Sequence, residues 1–470
     1  MIQPGKRTRR SALLVAAALS ISGTVLAQTP PPAPEPAPAA PPAEPTPENQ
    51  PANPPAPPAP GPPPAAPQQP TAVKLPEPPA TTLPTMAGPA LRLSQMFTFR
   101  PGLLLQLWGS FAQDTLKRAN GDSGDFAKNI YLRRLRFFMG GNVGDKLTYF
   151  FLWESANLGQ PVLNADGTTI NKQYLTYAFN DAFVDFKLHP NVSVQAGLML
   201  IPFTRNILQS TATYWTLDIA GVSASYLAAT QTSTLRDTGV QVKINALDNH
   251  FELRGMASQG IRLADLEPNA AGMPATTRVQ GKNDPRLTAF AQYNLFDPDA
   301  GYVFNGQYFG RKKIAGIAAG ADYQSLSDNP YFATSLTGFA AIPIHGADPK
   351  NGGDEIGGQV EYLHFHGGRP SAAPPAGLGK QNDLLVELGY YNKAAKLSVF
   401  GKFEGRFYAS EFKANNTRVY GGGFKYFLAE QIANLTLQYS FTQFPDLPDT
   451  TSALRNSTSQ LQLQLQLAYF

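Results

Sequence analysis

The chain alternates apolar and polar residues with a period of two, most plainly at its carboxy-terminal end. Residues 458–470 read TSQLQLQLQLAYF, with Leu461, Leu463, Leu465, Leu467 and Tyr469 out of step with Gln460, Gln462, Gln464 and Gln466. In a strand this period puts every leucine on one face and every glutamine on the other. One wet face and one greasy face suit a wall between lipid and an aqueous lumen; an amphipathic strand packed on a soluble core has the same period. The terminal aromatic Phe470 is the kind of ending expected of an outer-membrane barrel, although it falls on the glutamine parity while the apolar row ends at Tyr469.

Similar segments of about ten alternating residues, bounded by turn residues, recur from Leu91 onward. They predict strands at 103–114, 129–143, 146–156, 175–189, 192–202, 236–246, 250–260 and 285–297. Eight more fall at 314–324, 331–342, 355–366, 383–392, 396–409, 417–428, 433–444 and 458–470. Sixteen is an even number, as a closed bacterial barrel requires. Tight turns such as Gly144-Asp145, Pro190-Asn191 and Leu247–Asn249 follow even-numbered strands, and long loops follow strands one, three, five, seven and eleven. Barrels of this kind keep short turns in the periplasm and long loops outside. Residues 298–349 fit this rule least well, with Tyr302–Phe309 open to reading as another strand or as part of a turn. The predicted fold is all-β: a transmembrane antiparallel barrel of about sixteen strands.

Two segments precede it. Lys6, Arg7, Arg9 and Arg10, the apolar run Ala12–Leu19 and the small-residue step Val25-Leu26-Ala27 predict a signal peptide over 1–27. Residues 28–90 are rich in proline and poor in large apolar residues, which predicts a disordered, polyproline-like linker. Its role is open between a plain spacer and an arm that touches cell wall or a periplasmic partner. The barrel domain is placed at 91–470, with outer-membrane lipid around it. The chain has no cysteine, so neither disulfides nor cysteine lipidation enter. Of 38 basic residues against 34 acidic ones, four lie in the signal peptide. The mature chain is therefore near neutral, and nucleic acid is not an expected partner.

Charge has to face the lumen, because Arg or Lys near the lipid midplane costs about 2–4 kcal/mol. Alternation assigns Arg134, Arg136, Lys187, Lys243, Arg254, Arg286, Lys402, Arg406 and Lys425 to that face. It assigns Glu154, Asp185, Asp237, Glu252, Glu361, Glu387 and Glu404 there too, so the basic surplus is small. Arg134 and Arg136 are the candidates for an anion-attracting patch; pairing with Glu154 on the adjacent strand is the equal alternative. The loop 203–235 is expected to fold inward as a constriction built from Arg205, Tyr214, Trp215, Asp218 and Tyr226, or else to form an external cap or a protomer contact.

Catalytic and metal motifs are missing from this pattern. There is no G-x-S-x-G, H-E-x-x-H, P-loop or dinucleotide fingerprint. His364 and His366 make a weak metal pair without a third ligand, and Asp348, Asp354 and Glu355 read as turn formers. No enzyme, metal or cofactor is expected.

Three segments carry a likeness. YLRRLR at 131–136 followed by Gly140-Gly141, AGLMLIPF at 196–203, and RDTGV at 236–240 resemble, in that order, motifs of the phosphate-selective porin O and P family. The resemblance implies a sixteen-stranded homotrimeric porin of the outer membrane that passes small hydrophilic solutes, some members being selective for phosphate. The expected function is thus passive, weakly anion-preferring diffusion. The alternative is an envelope-anchoring or binding barrel that presents the proline-rich arm and conducts little.

Overall fold

The computed structural model describes residues 91–469 apart from 95, 115–125, 164–169, 173–177, 225–233, 261–263, 267–277, 281–283, 326–329, 368–379 and 448–454. The signal peptide, the proline-rich segment, Tyr226 and Phe470 lie outside the described residues.

Among the described residues, sixteen long strands form one closed antiparallel sheet, to which the two-residue strand Leu91–Arg92 adds beside Thr98 and Phe99. In chain order they are β1 (Thr98–Gln113), β2 (Phe126–Val143), β3 (Leu147–Leu158), β4 (Ala178–His189), β5 (Val192–Leu200), β6 (Arg236–Ala246), β7 (Phe251–Ser258) and β8 (Arg286–Asn294). They continue as β9 (Ile314–Gln324), β10 (Tyr331–Pro343), β11 (Glu355–His366), β12 (Gln381–Asn392), β13 (Leu397–Tyr408), β14 (Thr417–Ala429), β15 (Ala433–Gln443) and β16 (Ser457–Tyr469). Each pairs with its chain neighbour, and β16 closes onto β1 from Leu103↔Tyr469 to Ala112↔Gln460. Closure removes every sheet edge, which is how a strand wall satisfies its backbone in lipid.

The alternation of β16 sorts as its sequence dictates. Leu463 is 49 % exposed and Gln464 1 %. Across the seam Leu105 faces Leu467 and Leu107 faces Leu465, while Leu435 faces Leu465 on the other side. These rows form a continuous apolar band. On the inner face Gln106 lies opposite Gln466, and Gln438 opposite Gln462.

The interior departs from a simple water-filled lumen. Residues 201–224 turn inward from β5, ending in one helical turn, Gly221–Ala224. Met199, Ile201, Phe203, Ile207, Leu208 and Val222 are buried there with Phe290, Leu363, Phe365 and Leu385 from the wall. The inner face is thus partly apolar where it meets this loop. A second departure corrects the rule of short turns after even strands. The connection from Leu295 to Lys313, between β8 and β9, is long and also enters the barrel, from the short-turn rim. Tyr302–Phe309 is neither a wall strand nor a surface turn; Tyr302, Phe304, Tyr308 and Phe309 are all buried.

Candidate channel constriction

The inward loop is held by the polar inner face. Gln106 Nε2 donates to the Thr211 carbonyl at 3.3 Å and Gln466 Nε2 to the Ala212 carbonyl at 3.1 Å. Leu217 N donates to Gln438 Oε1 at 3.0 Å. The glutamine face of β16 and its neighbours therefore supplies partners for loop backbone that would otherwise be buried unpaired. On the far side of the barrel, carboxylates bind loop hydroxyls and loop backbone. Glu387 accepts from Thr216 Oγ1 at 2.8 Å, Glu361 from Ser223 Oγ at 2.8 Å, and Glu404 from Val222 N at 3.1 Å.

Trp215 seats the loop against β11 and β12. A Cβ on Gly389 would come within 2.2 Å of the Trp215 ring, and one on Gly357 within 2.7 Å. Only glycine admits an indole this close to the wall. Tyr214 is buried beside it, and Lys425 donates to the Tyr214 carbonyl at 2.6 Å.

The basic face of β2 meets the same loop at Asp218. Arg134 sits on the inner parity, and a bulge at Arg133, between the pairs Gln106↔Arg134 and Leu107↔Leu132, turns a second guanidinium inward. Arg133 Nε donates to Asp218 Oδ2 at 3.0 Å, and Arg134 Nη2 binds Asp218 Oδ1. Burial alone would raise the Asp218 carboxyl. The charges of Arg134 and Arg133 outweigh it and hold the group well below the usual carboxylate range. Arg136 donates to Glu154 Oε2 at 2.8 Å and to Thr211 Oγ1 at 2.6 Å. Of the two alternatives for Arg134 and Arg136, the geometry is the paired one: both guanidiniums are buried against carboxylates.

Most of the other assigned lumen charges are likewise engaged. Lys243 and Arg254 share Glu252, at 2.9 and 2.6 Å. Arg286 forks onto Asp322, and Lys402 pairs with Glu404 at 2.6 Å. Arg406 donates to the Gly221 carbonyl, Asp237 accepts from Ser258 Oγ at 2.9 Å, and Lys187 lies half-buried near the end of β4. Arg205 is not at the loop's open side but deep below it, bound to Asp299 at 2.8 Å and lying over Phe304 and Phe339. His364 hydrogen-bonds Asn382 at 2.8 Å on the outer parity of β11, away from the lumen.

Alternation missed Arg133, because a bulge cannot be read from a period-two pattern. It also missed Arg236, which pairs with Asp181 at 3.0 Å, and the acidic anchor Asp299 in the second inward segment. Among the described residues of the lumen, Arg133–Asp218 is the most accessible ion pair, with side chains 13 % and 17 % exposed.

Comparison with known proteins accords with this geometry. A family model described as phosphate-selective porin O and P matches residues 103–314. OprB of Pseudomonas putida superposes with a TM-score of 0.51 at 9 % identity, covering 80 % of this chain and 94 % of that one. The anion-selective porin from Comamonas acidovorans gives 0.48 at 13 %, covering 79 % of this chain and 100 % of that one. OmpF of Salmonella typhi gives 0.49 at 11 %, covering 81 % and 100 %. A comparison with curated protein sequences returns no match. The closed sixteen-strand architecture is that of an outer-membrane porin barrel, and over β1 to β8 the chain is similar to the phosphate-selective porin O and P family.

Proposed function

We propose that the barrel passes small hydrophilic solutes by passive diffusion, with a weak preference for anions, along the side of the inward loop that faces β2. The observation that carries this is the cluster of Arg133, Arg134, Arg136 and Arg236 against Asp218, Glu154 and Asp181. One guanidinium is in excess, at the place where an ion pair is partly open to water. Fixed charge of one sign beside a narrow passage raises the local concentration of counter-ions. A single excess charge, most of it spent on fixed partners, makes the preference weak. The carboxylates and guanidiniums here hold one another and the inward loop.

A second reading draws on the packed interior. With loop and wall side chains so largely buried, the barrel would conduct little and would serve to anchor the amino-terminal arm in the envelope. The trimeric assembly of the family, and a periplasmic spacer role for residues 28–90, belong to the proposal in either case. Single-channel recording from purified protein in planar bilayers, with the reversal potential in a salt gradient, separates the two. Conductance with an anionic reversal potential supports the porin reading; no conductance supports the anchor. Block by phosphate at submillimolar concentration would sharpen the preference into phosphate selectivity.

A further inference from the structure

We propose that Leu295–Lys313 is a second constriction element, a brace inserted from the periplasmic rim that fixes the inward loop and shares in setting the solute size limit. Its role in solute size rests on the porin reading above; its role as a brace does not.

The segment is built into the lumen by its backbone. The carbonyls of Gly301 and Tyr302 each accept from Arg254 at 2.8 Å. They thus take up guanidinium donors of Arg254 beyond those that Glu252 binds. Phe304 forms a parallel bridge to Gln209 of the inward loop, with Phe304 N donating to Leu208 O and Ser210 N to Phe304 O, both at 2.8 Å. Thr213 Oγ1 accepts from Gly306 N at 3.0 Å. Asp299 fixes Arg205, the buried guanidinium at the root of the loop. The loop therefore rests on this segment through backbone, hydroxyl and ionic contacts over 205–213.

The far end of the segment is pinned. Phe309 takes a left-handed φ of 58°, a conformation a bulky side chain rarely adopts, and Gly310 follows at 69°. That backbone drives the Phe309 ring edge-on between Tyr391 and Phe427, at centroid distances of 5.0 and 5.1 Å. It also turns Tyr308 N and Gly310 N onto Glu355, at 3.1 and 2.8 Å. A plain hairpin would close β8 to β9 in a few residues. Strain, a buried carboxylate and a three-ring cluster are what hold this longer path inside the barrel.

Two variants test it. In the first, residues 299–309 are replaced by an Asn-Gly turn; in the second, Asp299→Asn keeps the shape and removes the ion to Arg205. Amide hydrogen exchange is read at 205–213 and single-channel conductance beside it. A brace predicts loss of protection in the loop by tenfold or more on shortening, on the order of one broken anchor's worth, and a smaller loss in Asp299→Asn. As a constriction element it predicts conductance raised about twofold or more on shortening. Unchanged loop protection in both variants, with the barrel folded, overturns the brace. Conducting wild type and shortened forms with equal conductance and equal sugar size limit overturn the constriction role. A wild type that does not conduct sinks the porin reading and leaves the exchange result to decide the brace alone. Should the shortened form fail to fold, Asp299→Asn still decides through exchange.

Discussion

The carboxylate of Asp218, on the inward loop, lies against the guanidinium of Arg134 on β2, and Arg133 donates to its other oxygen at 3.0 Å. The loop thus carries its own anion onto the basic face. Asp218→Asn removes that charge while keeping an acceptor and the size of the side chain. The anion-to-cation permeability ratio should rise by roughly fivefold, the Boltzmann factor of about 1 kcal/mol that a unit charge exerts at 4 Å in water. Because the Asp218 carboxyl is held well below its ordinary value, wild-type selectivity should be flat between about pH 8 and 5. It should move toward anions only in stronger acid, as Asp218 takes up a proton. Reversal potentials across a salt gradient measure both, and an unchanged ratio in the variant would remove Asp218 from the solute path.

Arg136 and Glu154 make a different kind of pair. They are 2.8 Å apart on adjacent strands and both buried, so removing Arg136 leaves the Glu154 carboxylate with only the longer 3.7 Å ion pairing to Arg134. Arg136→Ala should destabilise the folded barrel by about 3–5 kcal/mol, and the double change Arg136→Met with Glu154→Met should recover much of that loss. Urea titration of folding into lipid vesicles gives both values. If the double variant is as unstable as the sum of the singles, the pair is not a coupled unit.

The wall was legible in the sequence because its cause is local. A two-residue period follows from strand geometry and one greasy face, and Leu461 to Leu467 show it without any distant partner. The sixteen strands and the inner parity of Arg134, Lys243 and Lys402 follow from that rule alone. What the lumen contains was not legible in the same way. Trp215 is aimed by Gly357 and Gly389, more than a hundred residues away, and Arg205 by Asp299. Arg133 is turned inward by a bulge, which shows in register and not in composition. The Leu295–Lys313 segment has turn-like composition and reads as a turn; only its buried partners reveal that it points inward.

Gly389 gives the seat of Trp215 a direct test. A methyl group there would stand 2.2 Å from the indole, so the ring must move. Gly389→Ala should cost about 1–3 kcal/mol at this contact, shift the emission of Trp215 and raise the size limit seen in liposome swelling with graded sugars. Trp215→Ala should raise that limit too, and adding Gly389→Ala to it should change nothing further. An additive double variant would mean that the glycine acts elsewhere than on the tryptophan.

The alternation of β16 makes the last prediction, since its two faces should answer to opposite substitutions. Leu463 is exposed to lipid near mid-strand, and Leu467 lies nearer the periplasmic rim, beside Leu105 of β1. Leu463→Arg should cost about 2–4 kcal/mol, while the same change at Leu467 should cost less, toward about 0–1 kcal/mol, as a guanidinium there reaches the interface. Gln464, one residue from Leu463, faces inward and accepts from Trp108 Nε1 at 2.7 Å. Gln464→Leu keeps the size of the side chain but strands that indole donor, at about 1–3 kcal/mol. A soluble-type strand would penalise Leu463→Arg and Leu467→Arg alike. A depth-dependent cost on the leucines with a hydrogen-bond cost on the intervening glutamine is what a lipid face backed by a polar inner face requires, and vesicle-folding free energies of the three variants distinguish the patterns.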